Sequence, residues 1–111
     1  MSSEAQVPAP VSAVVDAINA GDTDAFVAAF TLDGQVDDWG RVLTGSDGVR
    51  SWAESDAIGM DARMNVLGAE TVGDTTTVAF EWSSRKFNGT STAIVTVADG
   101  RVSSFRIPPA H

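Results

Sequence analysis

The stretch from Leu32 to Trp52, LDGQVDDWGRVLTGSDGVRSW, decides how the rest of the chain is read. Residues 35–39 have the composition of a short strand and carry two adjacent carboxylates, Asp37 and Asp38. Strand alternation sends these two side chains to opposite faces. Trp39-Gly40-Arg41 follows at once, and residues 40–45 read as a turn or a short hairpin leg. Ser46 then stands where a helix N-cap belongs, with Asp47 in the favourable first turn. Val49, Trp52 and Ala53 give that helix an apolar face, and Gly59 closes it. Carboxylates beside large aromatic surface make this stretch the place to look for a site.

Toward the N-terminus the pattern is helical. Residues 1–7 read as a flexible tail, and Pro8 and Pro10 suit a first helical turn. Val11, Val14, Val15 and Ile18 recur at i, i+3, i+4 and i+7, one face of a helix. Gly21 suits its left-handed cap. Asp22 or Thr23 starts a second helix whose buried side is Phe26, Val27 and Phe30, and Leu32-Asp33-Gly34 breaks it.

Toward the C-terminus the period falls to two. Met60, Ala62, Met64 and Val66 alternate with polar residues, as do Thr76, Val78, Phe80 and Trp82. Residues 91–98 are apolar on both faces, with Ala93, Val95 and Val97 on one and Ile94 on the other. Residues 102–107 form a last strand, stopped by Pro108-Pro109. Gly73-Asp74, Asn88-Gly89 and Asp99-Gly100 are hairpin signals. The order implies an α+β domain over residues 8–111, with three N-terminal helices on one face of a curved antiparallel sheet. A sheet half-covered by helices has one wet face. Two dry faces on residues 91–98 therefore predict a homodimer through the sheet.

Composition narrows the function. A chain of 111 residues with 43% apolar content supports one core. No apolar run approaches the ~20 residues that cross a bilayer. MSSEAQVPAP lacks the basic and apolar regions of a secretory signal. The absence of cysteine removes disulfides and thiolate metal sites and fits a cytoplasmic protein. Seven basic against fifteen acidic side chains give a net charge of -8, with eleven acids and two arginines in residues 1–61. With Lys86 the single lysine, nucleic acid and anionic membrane are poor partners. His111, the single histidine, is the last residue, so neither a metal centre nor a Ser-His-acid set can be assembled. Gly40, Gly45 and Gly48 match no phosphate-cradling fingerprint, and no cofactor is expected.

The element order, with DAINAGDTDAFVAAFTLDGQVDDWG and the later TGSDGVRSW, resembles the nuclear-transport-factor-2-like superfamily over residues 8–108. Within it the chain is most similar to the SnoaL-like branch of small bacterial proteins, which includes relatives of polyketide cyclases and ketosteroid isomerases. The resemblance implies a cone of bent sheet and helices whose open end holds an apolar pocket. It sets Asp38 where ketosteroid isomerases keep the carboxylate that shuttles a proton. Val14 falls at their oxyanion tyrosine and Thr92 near their second donor. This chain has no tyrosine, so steroid isomerisation by that mechanism is not expected. The acid of SnoaL-type cyclases has no match here. An epoxide-hydrolase arrangement could use Asp38 and Arg63 but lacks a second aspartate.

Asp38 is thus the candidate catalytic residue, since a carboxylate at an apolar pocket suits acid–base chemistry. The expected ligand-facing residues are Trp39, Trp52 and Trp82, which combine apolar area with an N–H donor, together with Phe80 and Val78. Phe105, Ile107, Ile94, Met64 and Val14 complete the set. Arg41 is expected to pair with Asp37 or Asp38, and Arg106 to face outward. Two functions follow: a cofactor-independent isomerase, cyclase or lyase acting on a small hydrophobic molecule, or a non-catalytic binding or dimeric accessory domain. An open cone with Asp38 turned inward favours the first.

Overall fold

The computed structural model describes residues 7–108. Helix α1 (Ala9–Ala20) starts after Pro8 and buries Val11, Val14, Val15, Ala17 and Ile18. It ends at Gly21, whose left-handed backbone (φ 70°, ψ 31°) turns its N–H onto the carbonyls of Ala17 and Ile18. The Asp22 carboxylate accepts from the Ala25 N–H at 3.0 Å and caps α2 (Thr23–Ala28).

Phe30 does not continue α2; it opens strand β1 (Phe30–Asp38), which is longer than its composition suggests. The apparent break at Leu32-Asp33-Gly34 is a bulge inside this strand, where the register with the last strand shifts between Phe30 and Gln35. A Cβ on Gly34 would lie 3.0 Å from the Val102 carbonyl oxygen, so the bulge depends on glycine. Trp39 (φ 57°) and Gly40 (φ 91°) form the tight turn into β2 (Arg41–Thr44).

Helix α3 (Gly45–Asp56) begins one residue before the expected cap. The chain turns at Gly45 itself, so Ser46 lies inside the first turn and no side chain caps the helix. Val49, Trp52 and Ala53 are its buried face. Gly59 is not a helix cap but sits in a 3-10 turn (Ile58–Met60), where a Cβ would overlap the Glu54 carbonyl.

Strands β3 (Arg63–Val72), β4 (Thr75–Ser83), β5 (Asn88–Ala98) and β6 (Arg101–Ile107) form an antiparallel meander. Gly73-Asp74 and Asp99-Gly100 make turns as expected. Asn88-Gly89 instead starts β5. The Ser84 side chain organises that reversal: its Oγ accepts from the N–H groups of Lys86 and Phe87 and donates to the Phe87 carbonyl. β1 joins the meander by pairing parallel to β6, giving the order β2-β1-β6-β5-β4-β3 in one open, curved sheet. β3 is an edge, and Asn19 of α1 partly closes it. The Asn19 Nδ2 donates to the Met64 carbonyl at 2.9 Å, and its Oδ1 accepts from the Met64 N–H at 2.7 Å.

The core lies between the helices and the sheet. On β4, buried Thr76, Val78, Phe80 and Trp82 alternate with outward residues, as the period of two predicts. Val7, the last residue of the tail expected over residues 1–7, packs against the core, whereas residues 1–6 of that tail and the terminal His111 lie outside the described residues. Among the described residues, no helix is long and apolar enough to cross a membrane.

Candidate functional site

A recess of about 360 Å³ opens at the end of the sheet where β1, β4 and β6 finish and β5 begins. The β4–β5 register explains why space is left there. Trp82 stands opposite Gly89, Phe80 opposite Ser91, and Val78 opposite Ala93. Small residues on β5 face large ones on β4, so the two strands do not fill the volume between them.

Asp38, Trp39, Trp52, Phe80, Trp82 and Ile107 line this recess together. The alternation of β1 turns Asp38 to the same side as buried Val36, and the parallel register sets it beside Ile107. Asp37 takes the other face. Its Oδ1 accepts from the Gly40 N–H at 2.9 Å, and Arg106, exposed on the outer face, approaches its Oδ2 at 3.8 Å.

The Trp52 indole is 1% exposed and fixed from several sides, by Phe26 at 5.8 Å, Trp82 at 6.1 Å and Phe105 at 5.9 Å between ring centroids. This packing aims its N–H at Asp38, whose Oδ2 accepts it at 3.1 Å. The other carboxylate oxygen, Oδ1, has no hydrogen-bond partner among the described residues. Trp39 (54% exposed) and Phe87 (50% exposed) stand at the mouth.

Other expected ligand-facing residues lie elsewhere. Val14, Val78, Phe105 and Met64 are buried in the closed core away from the recess. Phe105 packs against Trp52 from the core side and does not line the recess. Ile94 falls on the outer face because β5 turns Ala93 and Val95 inward. The same parity puts Thr92 outside, next to exposed Ala79. The hydroxyl-bearing residues of this strand that line the recess are Thr90 and Ser91.

Arg41 pairs with neither Asp37 nor Asp38. Its guanidinium reaches Asp56 at 3.3 Å, and the Lys86 ammonium reaches the same carboxylate at 3.1 Å. Asp56 lies one turn beyond Trp52 on α3, near the negative end of the helix dipole. Burial works to raise its pKa. Hydrogen bonds from Ser55 and Lys86 and the charges of Lys86 and Arg41 outweigh that and hold it below the usual carboxylate range. One carboxylate thereby ties together β2, α3 and the β4–β5 loop around the mouth.

Asp56, Lys86, Phe87, Thr90 and Ser91 are lining residues that sequence reasoning missed. Asp56 had a signal in its four-residue spacing from Trp52. Ser91 had one in its parity with Ala93. Lys86 and Phe87 sit in a reversal, where no periodicity exists to find them. Among the described residues, no group of three His, Cys, Asp or Glu is placed to hold a metal ion.

The SnoaL-like domain family model matches residues 11–105. This chain belongs to the SnoaL-like domain family. A candidate polyketide cyclase from Sinorhizobium meliloti is 27% identical to this SnoaL-like domain, with a TM-score of 0.81 over 91% of this chain and 94% of that one. A Δ5-3-ketosteroid isomerase from Mycobacterium shares the fold at 13% identity and a TM-score of 0.79, covering 92% of this chain and 91% of the other. A cystatin-fold protein from Novosphingobium aromaticivorans does so at 19% identity and 0.73, covering 90% and 95%. No curated protein matches the sequence significantly.

Proposed function

We propose that the recess is a pocket for a small hydrophobic molecule and that Asp38 exchanges a proton with it. The domain would then act as a cofactor-independent isomerase, cyclase or lyase. The observation that carries this reading is the state of Asp38: Trp52 holds one oxygen, and the other is free at the wall of an aromatic recess. Oδ1 can take a proton from a C–H or O–H of a molecule packed on Phe80, Trp82 and Ile107, and return it elsewhere on the same molecule. Such a shift needs no redox group or metal. The likeness to a candidate polyketide cyclase supports the same class of chemistry.

Native mass spectrometry of protein purified from its host tests the pocket. A co-purifying molecule is the expected result, and its absence from correctly folded protein counts against it. Once the molecule is known, Asp38→Asn should abolish its conversion even at concentrations that saturate the variant.

A second reading, non-catalytic binding, is favoured by one observation. The resemblance to relatives with an oxyanion hole sets Val14 where they carry a donor, and Val14 is an apolar side chain closed in the core. An oxyanion donor is worth about 10²–10³ in rate. Unchanged turnover in Asp38→Asn, or none in either protein with the ligand bound, selects this reading.

We also infer a homodimer through the outer face of the sheet. Thr77, Ala79, Thr92 and Ile94 form an uncharged centre there. Light scattering across a concentration series should give twice the chain mass, and a constant monomer mass rejects the assembly.

A further inference from the structure

We propose that the ligand of the recess is a cationic amine: an apolar molecule whose protonated or quaternary ammonium group lies beside Asp38. The inference rests on the reading of the recess as a ligand pocket and adds the charge of what enters it.

The argument starts from where the positive charges go. Arg41 stands directly across the β1–β2 pair from Asp38 and is its nearest basic neighbour in register. Its guanidinium nevertheless runs to Asp56, as does the Lys86 ammonium. One carboxylate takes both cations of the rim. Asp38 keeps no ionic partner among the described residues, and its side chain meets only the neutral indole N–H of Trp52. A half-buried carboxylate without a cation is unfavourable. A ligand that brings a positive charge removes that cost at the moment of binding.

The walls fit the same chemistry. Trp82 and Phe80 bring aromatic rings to the wall of the recess, and the faces of such rings attract cations. Phe80 meets Trp82 at 69° with centroids 6.1 Å apart, so the two rings form a corner. Trp39 and Phe87 add aromatic surface at the mouth. The net charge of -8 raises the local concentration of cations around the molecule. An anionic ligand would face Asp38 while the rim ammonium is already held by Asp56. A neutral one would leave Asp38 unpaired.

The test compares benzyltrimethylammonium, its neutral isostere neopentylbenzene and phenylacetate by calorimetry, on the full chain and on Asp38→Asn. Asparagine keeps an acceptor for the Trp52 N–H and removes the charge. The cation should bind at least ~10-fold tighter than the isostere, and phenylacetate should be the weakest. Asp38→Asn should erase most of that preference while changing affinity for neopentylbenzene by no more than about twofold. If the neutral probe binds as well as the cation, or the preference survives in Asp38→Asn, the charge assignment is wrong and the pocket reading stands. If natively folded protein binds none of the three, both fall.

Discussion

The bond between Trp52 and Asp38 joins the core to the recess, and its worth can be measured. Trp52→Phe removes two ring carbons and the N–H donor from a side chain that is 1% exposed. At ~0.8 kcal/mol per buried carbon, the lost area costs about 1.6 kcal/mol. The hydrogen bond to a charged acceptor adds ~1.5 kcal/mol, the low end of its range, because Asp38 is only half-buried and stays partly hydrated. The sum, about 3 kcal/mol, is a large share of a typical stability of ~5–15 kcal/mol. It should lower the urea midpoint by roughly 1–3 M. Far-UV circular dichroism is the right probe, since the substitution alters the fluorescence signal itself. The decisive measurement is the double-mutant cycle with Asp38→Asn. A coupling of about 1 kcal/mol is expected, because the charge strengthens the bond and both variants weaken the same contact. Additivity within ~0.5 kcal/mol would refute the claim that Trp52 aims its N–H at the charged carboxylate.

Asp56 has a folded pKa below its ordinary 3.8, so it contributes stability that is fully present above pH ~4 and lost as pH falls through the lower, folded value. Asp56→Asn should remove that acid-dependent part of the thermal melt and lower Tm by roughly 4 °C at neutral pH. An undiminished acid drop in the variant would show that another carboxylate is responsible. Gly59→Ala should destabilise by about 1–3 kcal/mol because its Cβ meets the Glu54 carbonyl, whereas Gly68→Ala meets nothing within 4 Å and should fall within ~0.5 kcal/mol of the parent in the same melts. Asn19→Ala removes two bonds to the edge strand and should cost ~1–3 kcal/mol. Hydrogen exchange at the Met64 amide should accelerate more than at β4 amides, and equal acceleration would mean a global effect only.

The fold was legible because its helices and strands differ in period. Val11, Val14, Val15 and Ile18 declared one helical face, and Thr76 to Trp82 declared one strand face. β1 was harder to read, since Gly34 looks like a terminator in sequence yet serves as a bulge. Only the approach of the Val102 carbonyl, nearly seventy positions away, distinguishes the two. In the site, Asp38 was singled out through the family resemblance, and the structure sets it at the recess with Trp39, Trp52 and Trp82. Thr92 and Ile94 were assigned to the recess through a family comparison that is one residue out of phase with β5. A period of two turns such a slip into the opposite face. The diversion of Arg41 to Asp56 depends on where α3 ends in space, which no local pattern records.

The parallel pairing of β1 with β6 sets an order of events. The carboxylate of Asp38 is placed by a strand finished by residue 38, but the parallel neighbour of this strand, Arg101–Ile107, lies about seventy positions further along the chain. Until that segment is in place, β1 has only the short β2 as a strand partner, and Ile107 is missing from the wall of the recess. The docking of β1 onto the meander therefore waits for a segment far along the chain. Contacts this distant in sequence slow folding. The interval before β6 docks is when this protein is most exposed to aggregation and to capture by chaperones.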